Sequence, residues 1–204
     1  MTPPSHDPQV RLGRRSKRER WLLWVMLAVI AIMIVSLRLE ERRWWCECGT
    51  VRPWISDIWT SHCSQHLLDP YSLTHFSHGL IFSMLLMLVV PRWTLMRRLL
   101  VAVTLAAGWE ALENSPFIIE RYRTATMSLN YLGDSVVNST GDVLACAAGF
   151  LVAEWLGWRR SLVLFLAIEV ALLLWIRDNL IVGGVMLIAP IDAIKQWQTA
   201  SAPI

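Results

Sequence analysis

Charge is what this sequence has least of. Of 204 residues only 17% are charged, against 55% apolar, and mean hydropathy is +0.44. An average soluble domain carries about 25% charged residues. The shortage argues against a disordered chain and against an ordinary soluble enzyme. Four cysteines are too few for a disulfide-stapled mini-domain. A net charge of +3 is too small to imply nucleic acid. No Walker loop, Rossmann glycine fingerprint, nucleophile elbow or H-E-x-x-H is present. Internal repeats of the kind that build transporters are absent as well. What the chain has instead is 12 tryptophans and a series of apolar runs.

The runs set the architecture. Residues 1–20 are basic and proline-bearing, and read as a disordered cytoplasmic tail. Trp21–Leu37 is the first uncharged run, near the lower length limit for a spanning helix. It is followed by Arg38 and Glu40, with no small-residue cleavage site, so it reads as an uncleaved anchor. Further spans are expected at 75–90, 99–114, 135–156 and 162–176. Leu180–Ile191 is too short to cross, and Gly183, Gly184 and Pro190 interrupt it. The expectation is an all-α, polytopic transmembrane helix bundle of about five spans with a short re-entrant or interfacial C-terminal segment. Residues 21–198 would form one domain, with an outer loop at 38–74 and a tail at 199–204.

Arginines in the short loops set orientation. Arg92, Arg97 and Arg98 would lie between spans two and three, and Arg159 and Arg160 between spans four and five. With the basic tail they place the N-terminus in the cytoplasm. Arg38, Arg42, Arg43, Arg52, Arg121 and Arg123 fall on the outer side and count against this, although Glu40, Glu41, Glu47 and Glu120 lie within a few positions of five of them.

In that topology the polar residues collect at one membrane face. His75 and His78 begin span two, Glu110, Glu113 and Asn114 finish span three, and Asp134, Asn138 and Asp142 open span four. Arg177, Asp178 and Asn179 close span five. Spacings of three and four put each of the first three sets on one helix face. A carboxylate at mid-helix costs about 2.5–3.5 kcal/mol on insertion scales, so these groups should face one another rather than lipid. Arg177 is the expected counter-ion, in a salt bridge with Asp142, with Arg121 and Arg123 reaching in from a loop. Glu154, near the inner end of span four, is expected to snorkel. Glu169 reads as neutral or paired with another helix.

The loop offers a second set of chemically capable residues: Cys46, Cys48, His62, Cys63 and His66. A disulfide from Cys63 to Cys46 or Cys48, a zinc site with unusual ligand spacing, and free thiols all fit this composition. Cys146 reads as a small buried apolar group.

Four blocks of residues carry a family resemblance. They are Ser64-Gln65-His66 through His75-x-x-His78-Gly79; Trp109-Glu110-x-x-Glu113-Asn114 through Arg123; Gly133-Asp134-Ser135 with Asn138 and Asp142; and Ile176-Arg177-Asp178-Asn179 through Pro190. In this order, over about residues 20–198, they resemble an uncharacterised family of multi-pass inner-membrane proteins common in alpha-proteobacteria. That resemblance implies localisation and topology but no reaction. A looser one, to the VanZ-like proteins, would align His75, Glu113, Arg121 or Arg123, and Asp134 with Asn138.

Two function classes follow. One is an enzyme acting on a lipid or lipid-linked headgroup. His75, His78, Glu110, Glu113 and Asp134 would be its catalytic residues, and His75, His78, Glu110 and Asp134 the ligands of a divalent metal. Asn114, Arg121, Arg123, Asn138, Asp142, Arg177, Asp178 and Asn179 would bind substrate. The other is a non-catalytic membrane component that binds a lipid or partner protein, with the same charges as a structural network. The bilayer is the one partner common to both, and the oligomeric state is left open.

Overall fold

A computed structural model describes residues 19–128 and 131–200, so most of the basic tail lies outside the described residues. Eight helices and no strands occur among them. They are α1 (Trp21–Leu39), α2 (Ser72–Val89), α3 (Leu95–Glu113), α4 (Pro116–Ala125), α5 (Val136–Leu156), α6 (Trp158–Ile176), α7 (Leu180–Ile188) and α8 (Asp192–Thr199). By length and composition α1, α2 and α5 are apolar and long enough to cross a membrane. The 19-residue helices α3 and α6 are as long as α1, about 28 Å at 1.5 Å per residue, but carry more charge.

The helix starts show which local signals acted. The α2 helix begins three residues before the expected position, because the Asp69 carboxylate accepts the amides of Tyr71 (2.8 Å) and Ser72 (3.3 Å). Helices α3 and α6 likewise begin early and take Arg97, Arg98, Arg159 and Arg160 out of the loops. Arginine is a good helix former, so nothing halts the helix there. The segment carrying Arg121 and Arg123 is helix α4 rather than loop, with Pro116 in its first turn and the Ser115 hydroxyl accepting the Ile118 amide. The α5 helix is capped by Ser135, whose hydroxyl accepts the Asn138 amide at 3.2 Å. The next amides of that turn are filled from outside. Val136 and Val137 donate to the Arg43 and Trp44 carbonyls at 2.8 and 3.0 Å, which seats the outer loop on the end of α5.

Much of the outer surface is apolar, and the interior combines an apolar core with a set of buried polar groups. Trp155, Leu174 and Leu88 are 83%, 80% and 78% exposed, as suits side chains that face hydrocarbon. Leu22, Met33 and Leu37 of α1 pack with Ala102 and Ala106 of α3 and with Val143 and Phe150 of α5. The most extensive contact joins α2 to α5. Small residues permit it: a Cβ on Gly79 would run into the Cys146 carbonyl and Phe150 amide, and one on Gly149 into the Phe76 carbonyl.

Glu154 does not snorkel. It pairs with Arg98 of α3 at 2.7 Å and accepts the Ser83 hydroxyl of α2 at 3.1 Å, so it ties three helices together. The pair is only 13% and 14% exposed. Arg98→Ala is therefore expected to destabilise the protein by about 3 kcal/mol, the low end for breaking a buried pair. Arg98→Ala combined with Glu154→Gln should recover part of that loss. Thermal unfolding in detergent measures both.

Candidate functional site

Helices α2, α3, α4, α5 and α7, the outer loop and the segment before α5 line a cavity of about 980 Å³. His75 and His78 enter from α2, Glu113 from the end of α3 and Asp142 from α5, with Asp134 just ahead of α5. His75 is the hub. Its Nδ1 lies 3.2 Å from Glu110 Oε1 and its Nε2 lies 4.0 Å from Asp142 Oδ2. His78 stands edge-on to it, with ring centroids 5.5 Å apart.

Glu110 is fully buried, yet neither of its carboxylate oxygens meets a well-formed hydrogen-bond partner among the described residues. The same is true of Glu113 Oε2 and Asp142 Oδ1. Buried polar atoms are normally satisfied, so four neighbouring carboxylate oxygens without a well-formed hydrogen bond, one of them facing His75 Nδ1 at 3.2 Å, require a cause. His75, Glu110 and Glu113 each offer a ligand atom, and these atoms lie within 4.8 Å of one another. One nitrogen and two carboxylate oxygens form a donor set for a divalent metal. His78 and Asp134 line the cavity outside this trio.

Asp134 is held differently. Its Oδ1 accepts the Tyr131 hydroxyl at 2.9 Å and its Oδ2 the Asn114 amide at 3.2 Å, while its own amide donates to Asn114 Oδ1 at 2.6 Å. Gly133 brings the chain into this position with φ +86°, and any Cβ there would strike Asn114 and Ile119. Burial pushes Asp134 up to about 6, against the pull of the Tyr131 and Asn114 hydrogen bonds. Burial also pushes Asp178 up to about 7, partly offset by the Asn179 amide it accepts. Both groups hold a proton in the folded protein that they have lost in the unfolded chain between about pH 4 and 7. The folded state then binds more protons, and stability falls as pH rises through that window. Melting temperature in detergent should decline from pH 4.5 to 7, and Asp178→Asn should flatten the decline.

The arginines are not where counter-ion logic put them. Arg177 ends α6 in a left-handed conformation (φ 56°), donates to the Trp197 carbonyl at 2.8 Å and lies over the Trp197 ring. It makes no salt bridge with Asp142; its partners come from Trp197 of α8. Arg121 donates to the Leu187 and Ile188 carbonyls at 2.8 and 3.1 Å and so caps the C-terminal end of α7. Of the three, Arg123 alone lines the cavity, and its Nε donates to the Tyr131 carbonyl at 2.6 Å. Asp178 and Asn179 line it too. The Asn179 side chain accepts the Val182 amide at 2.8 Å as the cap of α7. Glu169 is engaged at the same helix start, accepting the Ile181 amide at 3.2 Å. Asn138 donates to the His66 carbonyl at 2.9 Å, a positioning bond between α5 and the loop.

Asp69 is the residue that reading by residue type missed. Besides starting α2, its carboxylate accepts the Ser64 amide at 2.8 Å and lies 3.8 Å from Cys63 Sγ. Cys63 thus lies beside Asp69 and lines the cavity, it is not among the residues grouped with Cys46 and Cys48, and all four cysteines are free thiols. The signal available was Asp69 followed by Pro70 and Ser72, an Asp-started helix entry.

The comparisons with known proteins give a family and no reaction. The profile described as "Protein of unknown function (DUF2585)" matches residues 37–200. A UPF0314 protein of Brucella anthropi is 43% identical over 183 residues, covering 89% of this chain and 93% of that one. A UPF0314 protein of Paracoccus denitrificans is 40% identical over 195 residues, covering 95% and 98%. One from Sphingopyxis alaskensis is 41% identical over 181 residues, covering 89% and 95%. No solved structure matches. With the profile spanning most of the chain and relatives aligned nearly end to end, this protein belongs to the DUF2585 family of unknown function, whose curated relatives are alpha-proteobacterial UPF0314 proteins.

Proposed function

We propose that the chain is an integral bacterial inner-membrane protein with a cytoplasmic N-terminus, and that its bundle site acts on a lipid or lipid-linked headgroup with the help of a divalent metal. The observation that carries this reading is the set of orphaned carboxylate oxygens around His75, opening into a large cavity. His75, Glu110 and Glu113 would hold the ion. When bound, it would polarise a headgroup oxygen or activate water.

Charge in the cavity fits that reading. Among the described residues, Glu113, Asp134, Asp142 and Asp178 line it against a single arginine, Arg123. Where these carboxyls ionise, they repel an anionic headgroup unless a cation is present. Asp134, fixed by Tyr131 and Asn114, is positioned to exchange a proton, and its raised ionisation range suits that role. Trp59, Trp109 and Tyr122 give the cavity an apolar side able to take the part of a lipid next to its headgroup.

The test is lipid and cell-wall profiling of a deletion strain carrying wild type or Glu110→Gln. The reading requires a changed envelope lipid in the null strain, restored by wild type and not by Glu110→Gln at equal abundance. Full restoration by Glu110→Gln would make the polar cluster a structural network instead.

A further inference from the structure

The outer loop gathers a second donor set that the bundle site does not use. Cys46, Cys48, His62 and His66 each offer a ligand atom within 4.8 Å of the others. They come from opposite ends of the loop, and two of them, Cys46 and His66, are buried. Cys46 Sγ lies 3.2 Å from His62 Nδ1. His66 Nε2 lies 3.3 Å from the same His62 nitrogen and 3.8 Å from Cys48 Sγ.

The tautomers sort these residues into roles. His66 Nδ1 accepts the Arg52 amide at 3.0 Å, so its ring proton sits on Nε2 and points into the cluster. His66 is thereby a donor to its neighbours. Cys46 and His66 both direct a proton at the one lone pair of His62 Nδ1. That crowding disappears if a cation takes the lone pair and the thiol protons leave.

We infer that Cys46, Cys48 and His62 bind a zinc ion, with His66 donating from Nε2 to the ligand in the fourth position. Two thiolates and an imidazole suit zinc in tetrahedral coordination. The two thiol protons pass to solvent, and no electron is exchanged. Cys-x-Cys is shorter than the common zinc spacing, and the loop fold is what brings these two cysteines to His62 and His66. The ion would fix the loop that walls the cavity. His66 joins α5 through its carbonyl and Asn138, and Trp59, Cys63 and Ser64 of the same loop line the cavity. The loop zinc stands on this cluster alone and is independent of the bundle metal.

The experiment is cobalt substitution of the full-length protein, reduced and purified in mild detergent. Wild type is expected to show thiolate-to-cobalt charge transfer and the strong visible bands of tetrahedral cobalt, both bleached by one equivalent of zinc per chain. Cys46→Ser with Cys48→Ser should abolish the charge transfer, as should His62→Ala. Glu110→Gln should leave it intact. His66→Gln should keep the band and weaken affinity about 10–100-fold, as loss of an outer hydrogen-bond donor does. Wild-type protein that binds cobalt without thiolate charge transfer, or that is purified without reductant as a Cys46–Cys48 disulfide, would overturn the site. Complete loss of the band in His66→Gln would overturn the three-ligand assignment. The wild-type spectrum needs no variant to fold.

Discussion

Glu110→Gln protein, purified in detergent beside wild type, should carry one metal ion per chain where wild type carries two. The lost ion is the one held by His75, Glu110 and Glu113, and the retained one is the zinc of the outer loop. The substitution keeps the size and shape of the side chain and removes its charge. An amide oxygen is a far poorer ligand for a hard divalent ion than a carboxylate. Losing an outer partner already costs about 10–100-fold in metal affinity, so losing a charged ligand should cost more than about 100-fold. Stability should move the other way when metal is withheld. Glu110 is wholly buried with both oxygens orphaned, and a buried carboxylate costs about 2.5–3.5 kcal/mol on insertion scales. Metal-free Glu110→Gln should therefore melt above metal-free wild type, and metal-loaded wild type above both. Elemental analysis and melting curves with and without chelator read this out. Equal metal content in the two proteins would remove the bundle site from the proposal and leave the loop site untouched.

Much of this site was legible in the sequence because helices impose a period. His75 with His78, and Glu110 with Glu113, share a face by spacing alone, and their cost in lipid says that the faces must turn inward. Partner choice was not legible, because it depends on elements that local patterns do not announce. Arg177 turns to Trp197 because α8 lies beside it, and nothing within those eight residues marks so short a helix strongly. Arg98 and Glu154 find each other across 56 residues, through a helix pairing fixed elsewhere. The loop residues were visible as a composition but not as an arrangement. Whether Cys63 or the histidines group with Cys46 and Cys48 is decided by the loop fold, which places Cys63 beside Asp69 instead.

The arrangement rests in turn on how closely α2 and α5 approach, and Gly149→Leu is expected to be the most damaging single change in the bundle. His75 and Asp142 lie on these two helices, with His75 Nε2 and Asp142 Oδ2 4.0 Å apart. That spacing exists because Gly149 meets the Phe76 carbonyl and Gly79 meets main-chain atoms of Cys146 and Phe150. Main chain cannot rotate aside as a side chain can, so a leucine must push the helices apart. Overpacking costs about 1–3 kcal/mol, and a clash with backbone belongs at the upper end. Near 3 kcal/mol lowers the melting temperature by about 6–12 °C for a chain of this length. The α3 helix, which carries Glu110 and Glu113, packs more against α5 than against α2, so moving α2 off α5 also draws His75 from those two carboxylates; the bundle metal should be lost while the loop zinc stays. Gly108 supplies the control. It is an exposed glycine of α3 where an added Cβ would meet nothing within 4 Å, so Gly108→Ala should raise stability by about 0.5–1 kcal/mol. If Gly149→Leu melts with wild type and keeps both metals, the close α2–α5 contact is not what positions His75.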